Sequence, residues 1–70
     1  MARLPSLSAK KVIRALKVHG FVLDHATGSH YVFLNIQMGR RVTVPYHTKD
    51  LPKGTLVSIL RQAGLSRKDL

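Results

Sequence analysis

Apolar residues fall at helical spacing in two separate stretches of this chain, and each stretch must bury its stripe against something. Ala9, Val12, Ile13 and Leu16 follow the i, i+3, i+4, i+7 pattern of one helix face, and Leu56, Ile59, Leu60 and Ala63 repeat it. The spacing predicts a first helix from Ala9 to His19, capped by the hydroxyl of Ser6 or Ser8 and stopped at Gly20. A second helix starts between Pro52 and Thr55 and runs to Ala63, where Gly64 closes it. Leu65 to Leu70 is a tail that adds one more turn through Ser66. Between the helices the pattern changes to that of strands, read at Phe21 to Asp24, Ser29 to Asn35 and Arg41 to Val44. Ala26-Thr27-Gly28 and Gln37-Met38-Gly39 supply the turns, and Pro45 ends the third strand because proline cannot extend a ladder. Tyr46 to Lys53 is a polar, cationic connection. Helix, three antiparallel strands, helix leaves one face of a small meander as the only partner for both stripes. The expected architecture is therefore α+β, an α-β-β-β-α arrangement of the double-stranded-RNA-binding-domain class with two helices on one sheet face, in one domain over residues 1–70.

A chain of 70 residues buries only about 60% of its unfolded surface, and without cysteine neither disulfides nor thiolate metal sites reinforce it. The longest uninterrupted apolar run, Tyr31 to Leu34, is far short of the roughly 18 residues of a membrane span. No secretory signal is visible, so a cytoplasmic protein with no membrane partner is expected. Charge is the informative quantity: 12 lysines and arginines stand against 3 acidic residues, Asp24, Asp50 and Asp69, for a net charge of +9. An excess of this size on a small surface draws polyanions, which makes nucleic acid the first partner class and an acidic protein the second. On the first helix, Lys10, Arg14 and Lys17 share an arc of roughly 60° opposite the apolar stripe, with Lys11 flanking them, as a phosphate-facing stripe would.

Among the four histidines, His19 falls in the last helical turn, where the helix dipole favours a capping imidazole. His25 precedes a turn and its partner is not legible. His30 follows Gly28-Ser29 directly at the mouth of a strand, where a turn exposes it for acid–base work near neutral pH. Metal spacing such as HExxH is absent, only Asp24 or Asp50 could complete a ligand set, and no metal or other cofactor is expected. A GxSxG elbow, a nucleophilic cysteine, paired carboxylates and a glycine-rich phosphate loop are missing as well. One route remains that needs only an acid–base group and cations: the 2′-hydroxyl of RNA attacks its own phosphorus.

Gly28-Ser29-His30 opening the second strand, then Arg41-Val42-Thr43-Val44-Pro45-Tyr46-His47, then LPKGTLVSILRQAG from Leu51 to Gly64, together closely resemble the HicA toxins. The basic first helix ending in Gly20-Phe21 extends the similarity to about residues 6 to 68. Members of this family are small ribonuclease toxins that degrade mRNA, adopt a double-stranded-RNA-binding-like fold and are neutralised by a HicB antitoxin. The resemblance implies His30 as the catalytic residue; His47 matches a family position to which no role is carried over. The turn Ile36-Gln37-Met38-Gly39 departs from the polar, Pro-Asp-Gly-like turn common in the family. Expected RNA contacts are Lys10, Lys11, Arg14, Lys17, Ser29, Arg41, His47, Lys49 and Lys53. If Tyr31 and Phe33 pack under the helices, Val32 and Leu34 form an apolar patch beside His30, suited to an antitoxin or a second copy.

Two other readings stay open at this level. A non-catalytic RNA-binding module would shift RNA without shortening it, and binding would weaken steeply with salt. An interaction protein would instead bind an acidic subunit tightly and RNA weakly. Charge and pattern support binding; the resemblance adds cleavage.

Overall fold

The computed structural model describes residues 7–46 and 50–70. Helix α1 spans Ala9–Val18, strands β1, β2 and β3 span Val22–Thr27, His30–Asn35 and Arg40–Pro45, and helix α2 spans Lys53–Ala63. A single 3-10 turn follows at Arg67–Asp69. The strands form an antiparallel sheet in the order β1-β2-β3, and the α-β-β-β-α layout is double-stranded-RNA-binding-domain-like. No helix among the described residues is long and apolar enough to cross a membrane.

Each helix begins and ends where local chemistry requires. Ser8 Oγ accepts a hydrogen bond from the Lys11 amide at 3.3 Å, satisfying one orphan donor of α1. At the other end His19 is the C-cap, and its Nδ1 lies 2.9 Å from the Ala15 carbonyl. Gly64 ends α2 in the left-handed region at φ 71°. A methyl group on it would also meet the Arg40 guanidinium at 2.8 Å, because Arg40 crosses that end to donate to the Gln62 carbonyl. Beyond it, the Ser66 amide bonded to Asp69 holds that carboxyl below its ordinary value. An isolated bridge between Ser8 and Asp50, with the Leu51 amide on the Leu7 carbonyl, ties together the segments that lead into the two helices.

The predicted stripes do bury. Ala9, Val12 and Leu16 from α1 and Leu56, Ile59, Leu60 and Ala63 from α2 meet Phe33, Val42 and Val44 of the sheet, with Phe21 and Leu51 closing the core. Ile13 packs only partly against it. The helices sit chiefly over β3, so β1 projects beyond them with every residue exposed. The sequence places this strand three residues too early, ending it at Asp24; it continues to Thr27, and the turn shrinks to Gly28-Ser29, with Gly28 at φ 58°. Pro45, read as a terminator, is itself the last residue of β3, at an edge where its missing amide costs no pairing.

Asn35 is a buried polar residue that the strand pattern does not announce. Its Nδ2 donates to the His19 carbonyl and its Oδ1 accepts from the Met38 amide, both at 3.0 Å. One side chain thus closes the end of α1 and shapes the β2–β3 turn. Asn35→Ala leaves two backbone groups unpaired in a half-buried place and should cost about 1–3 kcal/mol. A denaturation midpoint unchanged from the parent would contradict this.

Candidate functional site

The strand register decides which side chains share a face, since residues paired directly across an antiparallel sheet point the same way. Tyr31 and Phe33 point to the helices and belong to or pack against the core. His30, Val32 and Leu34 therefore occupy the open face, as their alternation in sequence requires. His30 pairs with Thr27 on one side and Pro45 on the other and is exposed at the hairpin end of β2. Ser29 stands beside it in the turn, and its carbonyl accepts from the Tyr46 amide at 2.6 Å, fixing the chain that leaves β3 against this corner.

The apolar patch expected on that face is smaller than Val32 and Leu34 promised. Val32 is only 8% exposed although it lies outside the core cluster, and Leu34 is half-buried. Val32 sits on the central strand between His25 and Thr43, and cross-strand neighbours on both sides leave it little open area. The more open apolar pair on this face is Leu34 with its edge partner Val22, which is 57% exposed.

On the helix side, α1 and the overhanging part of the sheet enclose a cleft of about 300 Å³ lined by Lys10, Ile13, Lys17, Leu23, Tyr31, Phe33 and Tyr46. Its floor is apolar and its helical wall carries two cations. Tyr31 and Tyr46 meet with ring centroids 5.0 Å apart and planes tilted by 37°. Tyr31 follows His30 and Tyr46 is bonded to Ser29, so the cleft and the histidine share one end of the sheet from opposite faces. The cations of α1, all exposed, divide between two grooves. Lys10 and Lys17, two turns apart and nearly in line, face this cleft, whereas Lys11 and Arg14 line a second groove with Val18, Asp69 and Leu70. Arg41 is exposed on the open face opposite Leu34, and Lys53 is exposed as the first residue of α2; neither lines these grooves. His47 and Lys49 lie outside the described residues.

Two features escape the strand and helix patterns. The Tyr31–Tyr46 pair joins residues 15 positions apart, and only the β2–β3 register, with Tyr31 opposite Val44, brings them together. The second is a contact between neighbours: His25 Nδ1 lies 2.6 Å from Asp24 Oδ2.

Electrostatically the site is one-sided. Asp24 and His25 pair with each other, Asp69 is engaged by Ser66 and lies 3.8 Å from His19 Nε2, and the lysines of the cleft have no acidic residue in its lining. A cationic surface attracts carboxylates and phosphates alike; an aromatic pair beside cations adds a shape that suits a planar base next to a phosphate. Comparison with curated proteins returns no match. The profile of the family described as "HicA toxin of bacterial toxin-antitoxin" matches residues 9–65, taking in both helices, the sheet, the hairpin corner with His30 and the cleft. That match covers most of the 70 residues, and the chain belongs to the HicA toxin family, the toxin side of a bacterial toxin–antitoxin pair.

Proposed function

We propose that the chain is a metal-independent RNA endonuclease that cuts mRNA, with His30 as the base that removes the 2′-hydroxyl proton. The observation that carries this reading is the position of His30: exposed at a hairpin end that also borders a cleft lined by Tyr31, Tyr46, Lys10 and Lys17. The 2′-oxygen bonds to phosphorus as the bond from phosphorus to the 5′-oxygen breaks, and the products are a 2′,3′-cyclic phosphate and a 5′-hydroxyl. A stacked base in the cleft and phosphates on Lys10 and Lys17 would hold the strand across the corner, with Ser29 beside the reacting phosphate. Lys11, Arg14, Arg41, His47, Lys49 and Lys53 add to the long-range attraction of a +9 chain. The whole of residues 1–70 acts as one ribonuclease unit, and mRNA as substrate places its action in the cytoplasm. A HicB antitoxin is the neutralising partner, and the open face carries its contact through Leu34 and the remaining surface of Val32.

Purified protein incubated with RNA is expected to yield fragments with cyclic phosphate ends. A substrate with a single 2′-deoxynucleotide on the 5′ side of the cleaved bond is expected to stay whole at that bond. Cleavage that persists across the deoxy position would rule out attack by the 2′-oxygen. RNA retarded but never shortened would favour a binding module, the second reading that the basic cleft supports.

A further inference from the structure

β1 has one residue more than its partner between Leu23 and His25. In an unbroken strand, neighbouring side chains point to opposite faces, and Asp24 could not reach His25 as it does. The bulge sets Asp24 and His25 together opposite Val32, on the open face that also carries His30. A carboxylate only accepts, so His25 Nδ1 carries the proton in the 2.6 Å bond to Asp24 Oδ2, and Nε2 is left facing away from that bond. The two side chains are 50% and 41% exposed, open to a ligand on this face. His25 pairs with Val32 and His30 with Thr27, which makes the histidines diagonal neighbours. Such neighbours are about 7–8 Å apart between backbones, a gap that two imidazoles reaching inward can close on one phosphate.

We infer that His25, held by Asp24, is the acid that protonates the departing 5′-oxygen, so that RNA is cut between two histidines on the open face. This rests on His30 acting as the base. His30 takes the proton of the 2′-hydroxyl while the imidazolium of His25 gives its Nε2 proton to the 5′-oxygen. The reaction leaves His30 protonated and His25 neutral, and exchange with water resets both. Asp24 does not touch the substrate; it fixes the tautomer and the ring plane of His25. The other charged or titratable side chains that the register places on this face, among the described residues, are His30 and Arg41.

The test compares wild type, His25→Ala and His30→Ala on one oligoribonucleotide in two forms. One has the natural linkage at the cleaved position. The other has sulfur in place of the bridging 5′-oxygen, a leaving group that departs as thiolate without needing a proton. His25→Ala is expected to slow the oxygen-linked substrate about 10²–10⁴-fold, the usual contribution of a general acid. It should cut the sulfur-linked form at close to the wild-type rate, whereas His30→Ala is slow on both. With the natural linkage, the wild-type rate should rise and then fall with pH, and the fall, which marks loss of the acid's proton, should vanish in His25→Ala. Equal losses on both linkages, or no loss, overturn the assignment of His25 alone if His30→Ala is inactive. Wild-type protein that cuts neither substrate overturns both roles. Far-UV circular dichroism of each variant confirms that an exposed substitution has left the fold in place.

Discussion

His30→Ala is expected to lower RNA cleavage about 10²–10⁴-fold, the span covered by loss of a positioned general base. The folded state should survive, because His30 is exposed at the end of β2 and contributes nothing to the buried cluster. Substitutions at such positions usually shift stability by no more than about 0.5 kcal/mol. RNA affinity should fall little, since Lys10, Lys17 and the tyrosine pair remain in the cleft. The informative measurement is thus a pair: a cleavage rate under single-turnover conditions and a binding constant at one fixed salt concentration. Loss of rate with retained binding assigns chemistry to the imidazole. Parallel loss of both would make His30 a contact for the strand, and an unchanged rate would remove it from the reaction altogether.

The largest expected effect on stability is at Phe33. It is 1% exposed, stands on the central strand and faces both helices. Removing a buried phenylalanine ring to alanine costs about 3–5 kcal/mol through lost burial and the cavity left behind. A domain of this length has roughly 4–10 kcal/mol in total at the usual stability per residue, and no disulfide holds it together. Phe33→Ala should therefore forfeit a third or more of that and populate unfolded chain at room temperature. Urea denaturation followed by circular dichroism reads this directly. A loss under 1 kcal/mol would mean that the core repacks around the site, in conflict with the tight set of neighbours from both helices.

Much of this fold is legible in the sequence because its two helices announce themselves by spacing. Ala9, Val12, Leu16 and Leu56, Ile59, Leu60, Ala63 are buried as their periodicity requires. Ser8 and Gly64 cap where short-range chemistry directs. What the pattern hides is whatever depends on pairing between strands. β1 is exposed on both faces, so its residues show no apolar alternation from which its length could be read. The bulge at Asp24 shifts every later side chain of that strand to the other face, and the Asp24–His25 bond follows only from that shift. Val32 illustrates the opposite failure: alternation assigns its face correctly but does not show how far its cross-strand neighbours shield it. His30 was visible for a simpler reason, since a histidine straight after a glycine turn is exposed whatever the register.

The bulge has a further consequence, for the company the sheet keeps. β1 is an outer strand whose amides and carbonyls on one side meet no strand among the described residues, a standing invitation to any extended chain. β3, the opposite border, is partly closed by Gln62, whose Oε1 accepts from the Thr43 amide. At β1 the same task falls to an irregularity: a strand laid along Leu23, Asp24 and His25 loses step after a few residues, at the hydrogen-bonded Asp24 and His25. The bulge thus makes this border of a half-covered sheet a poor template for growth strand upon strand.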